Sequence, residues 1–427
     1  MILAIFISAC ILMVLCVLKF PTVKIKKKEI DTYWIPPLAG AILALIISGE
    51  NRGEILSGLI ADTSVNPVKI LVLFISMTGL SIFLDETGFF SYVAGETVKR
   101  ANCSQKRIFF YLYITVSVLT VFTSNDIIIL TFTPFICCFA KRMRINPMPY
   151  LFAEFAGANT WSIFLIIGNP TNIYLASLGG IGFAEYIKLM WLPAVVAGLT
   201  AFAVTFLMFR KDLEKPMSPK EFEFSRIKDK VLLGTGLFFL SVCIILLAVS
   251  SYISLEMWII TLGIMALEFI TVLIYCAFKR RRPKELVRCL KRMTYLLIPF
   301  VLSMFILVEA LSGKNVTAIM GQALNSLGHS GIVYGFASAL MANFVNNIPM
   351  SVLFESVISS SGAGREALLG AIVGSNIGAL ITPVGALAGI MWSGILKSYE
   401  VKFSVTDFIK YGGTIALFSL IFSTIIL

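Results

Sequence analysis

The stretch VFTSNDIIILTFTP, residues 121–134, sets Ser124, Asn125 and Asp126 in the middle of a long apolar segment and closes on a proline. An ionised aspartate at the centre of a bilayer costs about 2.5–3.5 kcal/mol even on a lenient insertion scale, so Asp126 belongs in a hydrated site walled by protein. The rest of the chain confirms the medium. Of 427 residues, 58% are hydrophobic and 14% charged, with a mean hydropathy of +0.91, far from the composition of a soluble domain. Segments long enough to cross a hydrocarbon core of roughly 30 Å recur at 2–19, 33–49, 67–84, 192–210, 231–250, 257–278, 294–311 and 406–427. Nothing is left over for a sizeable soluble domain. The first segment has no basic flank and no small-residue cleavage site, and reads as a retained helix.

The formal charge of +11 does not indicate nucleic acid, because the basic residues sit in short connections between apolar segments. There they set orientation. Lys and Arg cluster at 24–28, 99–107, 141–144, 210–230, 279–292 and 397–402, and placing these loops in the cytoplasm satisfies the positive-inside rule. Segment 106–140 is then flanked on both sides by cytoplasmic clusters, KRANCSQKR and KRMR. It enters and leaves on one face, with Ser-Asn-Asp at its turn, and its arms are short for two full spans. We read it as a re-entrant hairpin. Segment 330–359 behaves alike from the outer side, with NFVNNIPMS at its turn.

This gives an all-α polytopic membrane protein of two inverted-topology repeats, each with five crossings, a re-entrant hairpin and a broken helix. An odd number of crossings makes the second copy insert upside down. The first repeat is 1–210 (hairpin 106–140, broken helix 148–178), the cytoplasmic linker 211–230, and the second repeat 231–427 (hairpin 330–359, broken helix 366–396). A residue-level echo supports the pairing: ISMTGLSIFLDETG (75–88) and FVLSMFILVEALSG (300–313) each run apolar into an acid and then a glycine.

Non-helical backbone survives at membrane depth only when it is buried in protein or lines a cavity. Four interruptions meet that description: the two hairpin tips, GANTWSIFLIIGNPTN (157–172) and GSNIGALITPVGALAG (374–389). Half-helix N-termini hold anions or polar oxygens, while exposed carbonyls with Asn, Ser and Thr oxygens hold cations. Asp126 is the expected cation or proton residue and Glu154, in YLFAEFAGANT, the second. Glu268, in a scaffold segment, is expected to be paired or interfacial. Neither Lys nor Arg occurs in the four interruptions, so a dicarboxylate or phosphate finds no obvious counter-charge.

The segments LDETGFF (84–90), NDIIILTFTP (125–134), GNPTN (168–172), NNIP (346–349) and SNIGALITPVGALAGIMW (375–392) resemble, in order and over nearly the whole chain, the ArsB/NhaD permease family of the ion transporter superfamily, which contains arsenite efflux permeases. The tips are also similar to those of related divalent anion/sodium symporters. The resemblance implies an elevator-type carrier. It implies one ion site, with bound sodium, at Ser124, Asn125 and Asp126 with Gly157 and Asn159. An inverted counterpart falls at Asn346, Asn347, Ser375 and Asn376. Gly168, Asn169, Thr171, Asn172, Thr382 and Gly385 would then line the substrate cavity.

The leading function is therefore a secondary transporter of the cell (inner) membrane, moving a small inorganic ion or oxyanion. Arsenite or antimonite efflux coupled to protons is the best single expectation, because arsenous acid is largely neutral and needs polar oxygens rather than an arginine clamp. The alternatives are sodium/proton antiport and sodium-coupled citrate or dicarboxylate uptake. An enzyme is disfavoured by the single histidine, His329, and the lack of an H-E-x-x-H motif. No cofactor is expected beyond a bound sodium ion, and the eight dispersed cysteines do not suggest a metal trap. The expected partners are the solute and membrane lipid, with no nucleic acid. A homodimer and a separate ATPase subunit are left open, and no nucleotide motif occurs in the chain.

Overall fold

The computed structural model describes the chain apart from residues 21, 26–27, 50–51, 60, 62–65, 102–103, 218–226, 228 and 313–314. The centre of the expected 211–230 linker thus lies outside the described residues. The first half contains α1 (Ile2–Lys19), strands β1 (Thr22–Ile25) and β2 (Lys28–Asp31), α2 (Ile35–Ile47), α3 (Arg52–Gly58), α4 (Pro67–Glu86), α5 (Phe89–Arg100), α6 (Gln105–Phe122), α7 (Asn125–Met143), α8 (Met148–Trp161), α9 (Pro170–Leu178) and α10 (Phe183–Leu213). The second contains α11 (Lys230–Val249), α12 (Met257–Phe278), α13 (Lys284–Arg292), α14 (Leu297–Ser312), α15 (Val316–Asn325), α16 (Ser330–Val345), α17 (Asn347–Ser361), α18 (Arg365–Ile377), α19 (Leu387–Ser398) and α20 (Val405–Thr424). Among the described residues six helical stretches are long and apolar enough to cross a membrane: Pro67–Glu86, Phe183–Leu213, Lys230–Val249, Met257–Phe278, Lys284–Ser312 and Val405–Thr424.

Short polar side chains start the long helices by satisfying their unpaired amides. Asn66 Oδ1 accepts from the amides of Val68 (2.9 Å) and Lys69 (3.0 Å) at the head of α4. Asp229 does the same for α11, and Ser404 with Asp407 forms a capping box on α20. At the far end of α4, Asp85 and Glu86 are not simply solvated. Arg292 of α13 meets Asp85 at 2.7 Å and Glu86 at 2.7 Å, and Arg288 meets Glu86 at 2.6 Å.

Packing divides the helices into two bodies. In one, α4 lies on α12 and α13, α14 on α2 and α3, α1 on α2, and α11 on α12. In the other, α8 packs on α6 and α10, α18 on α16 and α20, α7 on α19, α17 on α9, and α10 on α20. These pairings are unchanged when α1–α10 and α11–α20 exchange roles. The halves differ in closeness, however. A Cβ added to Gly370 would lie 2.1 Å from Gly331 O, and one on Gly374 2.0 Å from Gly335 O, so α16 and α18 meet backbone to backbone through glycines four residues apart. The equivalent position between α6 and α8 is wider: a Cβ on Gly157 would sit 3.1 Å from the Val116 side chain.

Three features depart from the expected layout. Strands Thr22–Ile25 and Lys28–Asp31 pair antiparallel, Thr22 opposite Asp31 and Ile25 opposite Lys28, so the chain is not helical throughout. Helices α5 and α15 fill stretches expected to be connections. The segment 33–49 yields only the 13-residue α2.

Candidate functional site

The two tips turn differently. Thr123 and Ser124 are both extended (φ −129° and −113°), and α7 starts at Asn125. Between α16 and α17 a single residue, Asn346, reverses the chain at φ 74° and ψ 153°, a conformation that residues with a side chain rarely adopt. The broken helices unwind through short 3-10 turns, Ile166–Gly168 and Gly378–Leu380, before α9 and α19 begin. A Cβ on Gly168 would lie 2.3 Å from Ser162 O, so this crossing of the chain requires glycine.

The N-terminal ends of α7, α9, α17 and α19 converge on one cavity of about 100 Å³. Its walls include Asn125, Asp126, Asn169, Pro170, Asn347 and Leu387. Four half-helix ends thereby direct their positive poles at one space. Asn169 caps α9 and Asn346 caps α17, whereas in the first turn of α7 a side chain takes up only the Asp126 amide (Asn125 Oδ1, 2.9 Å) and α19 has no side-chain cap, leaving donors of those two ends for a solute. Among the described lining residues there is no Lys, Arg or His, and Asp126 has no ion-pair partner.

Behind the cavity a buried amide network joins the two broken helices. Asn376 Oδ1 accepts from Ser162 Oγ and from Asn169 Nδ2, both at 2.9 Å, and Asn376 Nδ2 donates to Asn172 Oδ1 at 2.7 Å. Thr171 and Ser375 hydroxyls meet at 3.0 Å, and Asn172 Nδ2 donates to Ser162 O at 2.8 Å. The tips are tied to their own broken helices unequally. Asn125 Nδ2 reaches Asn159 Oδ1 at 3.2 Å, while the buried Ser124 hydroxyl has no partner among the described residues. Asn346 Nδ2 donates to Val384 O (3.0 Å), Asn347 N to Gly385 O (3.0 Å), and Thr382 Oγ1 to Asn343 Oδ1 (2.6 Å).

Most of the residues singled out in the sequence thus come together, but not all at the cavity. Gly157 packs against α6. Glu154 is fully buried away from the cavity walls, accepting from Thr133 Oγ1 (2.9 Å) and Trp392 Nε1 (3.3 Å), so it links α8 to α7 and α19. Glu268 was expected to be paired or interfacial; it is 0% exposed and neither oxygen has a hydrogen-bond partner among the described residues. Ser162, Asn343 and Asp31 were missed. Asn343 precedes the second tip by one turn, which the run Asn343-x-x-Asn346 advertises; Ser162 and Asp31 carry no such signal.

A cavity enclosed by half-helix ends inside a bundle of apolar spans defines a multi-pass inner-membrane ion transporter. The chain matches the family described as Citrate transporter over residues 3–366 and belongs to that family. It is 26% identical over 388 residues to an arsenical pump membrane protein of Escherichia coli strain K12, covering 87% of this chain and 88% of the other. A 46 kDa membrane protein of Mycobacterium leprae is 24% identical over 372 residues, 82% of this chain and 84% of that one. Among solved structures, the YdaH transporter of Alcanivorax borkumensis, described as having an unusual topology, superposes with a TM-score of 0.59 at 12% identity. It covers 99% of this chain and 96% of that one.

Proposed function

We propose that this chain exports a small, largely uncharged inorganic oxyacid, arsenite or antimonite, in exchange for protons. The observation that carries the reading is the composition of the cavity: four helix N-termini and an unpaired Asp126, with no basic side chain among the described walls. Hydroxyls of an uncharged acid can accept from the open ends of α7 and α19 and donate to Asp126 or Asn347. A dicarboxylate would set its charges beside that carboxylate with no arginine to offset them. Asp126 is the proton-exchanging group in this reading, and Glu154 positions α7 and α19. The names of the E. coli relatives favour the arsenical substrate, whereas the family description favours citrate. A second reading, sodium/proton antiport, is favoured by Asn125 and the unpartnered Ser124 hydroxyl beside Asp126, a set of oxygens suited to sodium.

Everted membrane vesicles containing the chain separate these readings. Arsenite accumulation should follow an imposed proton gradient and collapse with Asp126→Asn. Citrate accumulation under a sodium gradient, with no arsenite uptake under either gradient, would refute the proposal.

A further inference from the structure

The cavity has a second carboxylate on its wall, and it comes from neither tip nor broken helix. Asp31 ends β2, opposite Thr22, and lines the cavity together with Asp126, Asn125 and Asn347. Its backbone position is fixed from three sides. Thr32 Oγ1 donates to Phe20 O at 2.5 Å, Trp34 Nε1 donates to Asp31 O at 2.8 Å, and the Tyr33 ring meets Phe300 of α14 edge-on with centroids 5.2 Å apart. Asp31 therefore stands with the α1, α2 and α14 body, while Asp126 stands on the hairpin tip of the other body. Among the described residues of the two strands, Asp31 is the one that lines the cavity.

An independent observation marks the space between the two acids as built for a ligand. Asn347 is 3% exposed and lines the same cavity, yet its side-chain amide has no hydrogen-bond partner among the described residues. As a cavity-lining amide without a protein partner, it has its oxygen and NH2 open to a solute in the cavity. Its oxygen and the two carboxylates supply oxygen ligands only, a set that suits a hard monovalent cation. Asp31 is exposed at the outer edge of the cavity, where a fixed negative charge raises the local concentration of cations and repels anions before they reach Asp126.

We propose that Asp31 sets the charge selectivity of this site: it draws a monovalent cation, sodium or proton, toward Asp126 and turns anionic solutes away. This rests on the reading of the cavity as the transport site, and the experiment tells the two apart. The full chain, purified in detergent, is melted while sodium is titrated at fixed alkaline pH, and separately while pH is titrated in sodium-free choline buffer. Binding to the native state alone raises the melting temperature with ligand concentration. In the arm where wild type responds, Asp31→Asn should raise the half-saturating cation concentration about three- to tenfold, Asp31→Glu should restore it, and Asp31→Lys should exceed the Asn variant. Citrate should stabilise only the Lys variant. The Glu variant also guards against a fold defect, since it keeps the charge in a different side chain. If Asp31→Asn and Asp31→Lys titrate like wild type while Asp126→Asn abolishes the response, the role of Asp31 is wrong and the cavity stands. If Asp126→Asn also leaves the response intact, or wild type responds to neither cation, both readings fall. Stabilisation of wild type by citrate overturns the selectivity.

Discussion

At the residue scale, Asn376 is the side chain on which most depends. It bonds to Ser162, Asn169 and Asn172 together, so truncation leaves two buried groups of the first broken helix, Asn169 Nδ2 and Asn172 Oδ1, unpaired among the described residues. Each such group costs about 1–3 kcal/mol. Asn376→Ala should therefore lower stability by about 2–5 kcal/mol and abolish flux, whereas Ser375→Ala, which removes one hydroxyl contact to Thr171, should cost about 1 kcal/mol. Melting curves and vesicle flux on the same preparations check both. Glu154 gives a different expectation. Thr133 and Trp392 both present donors to it, so Glu154→Gln places an amide NH2 against one of them, while Glu154→Leu leaves both donors without an acceptor. Gln should retain partial flux and Leu should lose it. Equal flux in both would remove the positioning role. The sequence disclosed the identity of these residues through their improbability, because polar groups inside apolar runs need a reason. It could not disclose which of them face solute and which face each other. Asn125, Asp126, Asn169 and Asn347 reach the cavity while Ser375 and Asn376 stand behind it, and that division depends on how the two broken helices cross.

At the scale of elements, glycine spacing decides how closely helices approach. Gly374→Ala must displace Gly335 O or the Ser338 hydroxyl, both 2.0 Å from the new carbon, and overpacking of this kind typically costs about 1–3 kcal/mol or more. Gly394, inside α19 with nothing within 4 Å, is the control: Gly394→Ala should stabilise by up to about 1 kcal/mol through helix propensity alone. Opposite signs in thermal melting are the expected result. The head of α11 gives a pH-dependent case. Burial tends to raise the pKa of Asp229, but the amides of Leu232 and Val231, the Tyr275 hydroxyl and Arg281 outweigh it and hold the carboxyl below its usual value. A depressed folded pKa adds stability above the unfolded value of about 3.9, and that stability is lost as pH falls through the folded pKa. Asp229→Asn keeps the cap but not the charge, so wild type should melt higher at pH 6, and the gap should narrow as pH falls below about 3.9. Asp229→Ala should cost about 0.5–2 kcal/mol at neutral pH. Long apolar helices and the first hairpin were readable because their length and flanking basic clusters are set by the bilayer, and the second hairpin because its polar turn NFVNNIPMS interrupts an apolar run. The β1–β2 pair was not, since the lysine-rich sequence joining its strands has no Gly, Asn, Asp or Pro to announce a turn.

For the whole molecule, the division into two bodies makes relative sliding the natural way to move the cavity. Helix α14 belongs to one body and α17 to the other, and the Ser312 and Ser356 hydroxyls are hydrogen-bonded across that seam. In a background without the native cysteines, Ser312→Cys with Ser356→Cys should form a disulfide that stops flux under oxidation and releases it on reduction. Unchanged flux in a fully crosslinked sample would rule out sliding along this face. The pairings that survive exchange of the halves carry a further implication. In the arrangement described, the second tip is laced to its broken helix by Asn346, Asn347 and Asn343, while the first is held by one amide contact at Asn125. A chain whose two halves follow the same plan can trade those roles. The partner conformer, with the first tip drawn tight and the second slack, would offer its solute to the opposite compartment, so this single snapshot already outlines the other end of the transport cycle.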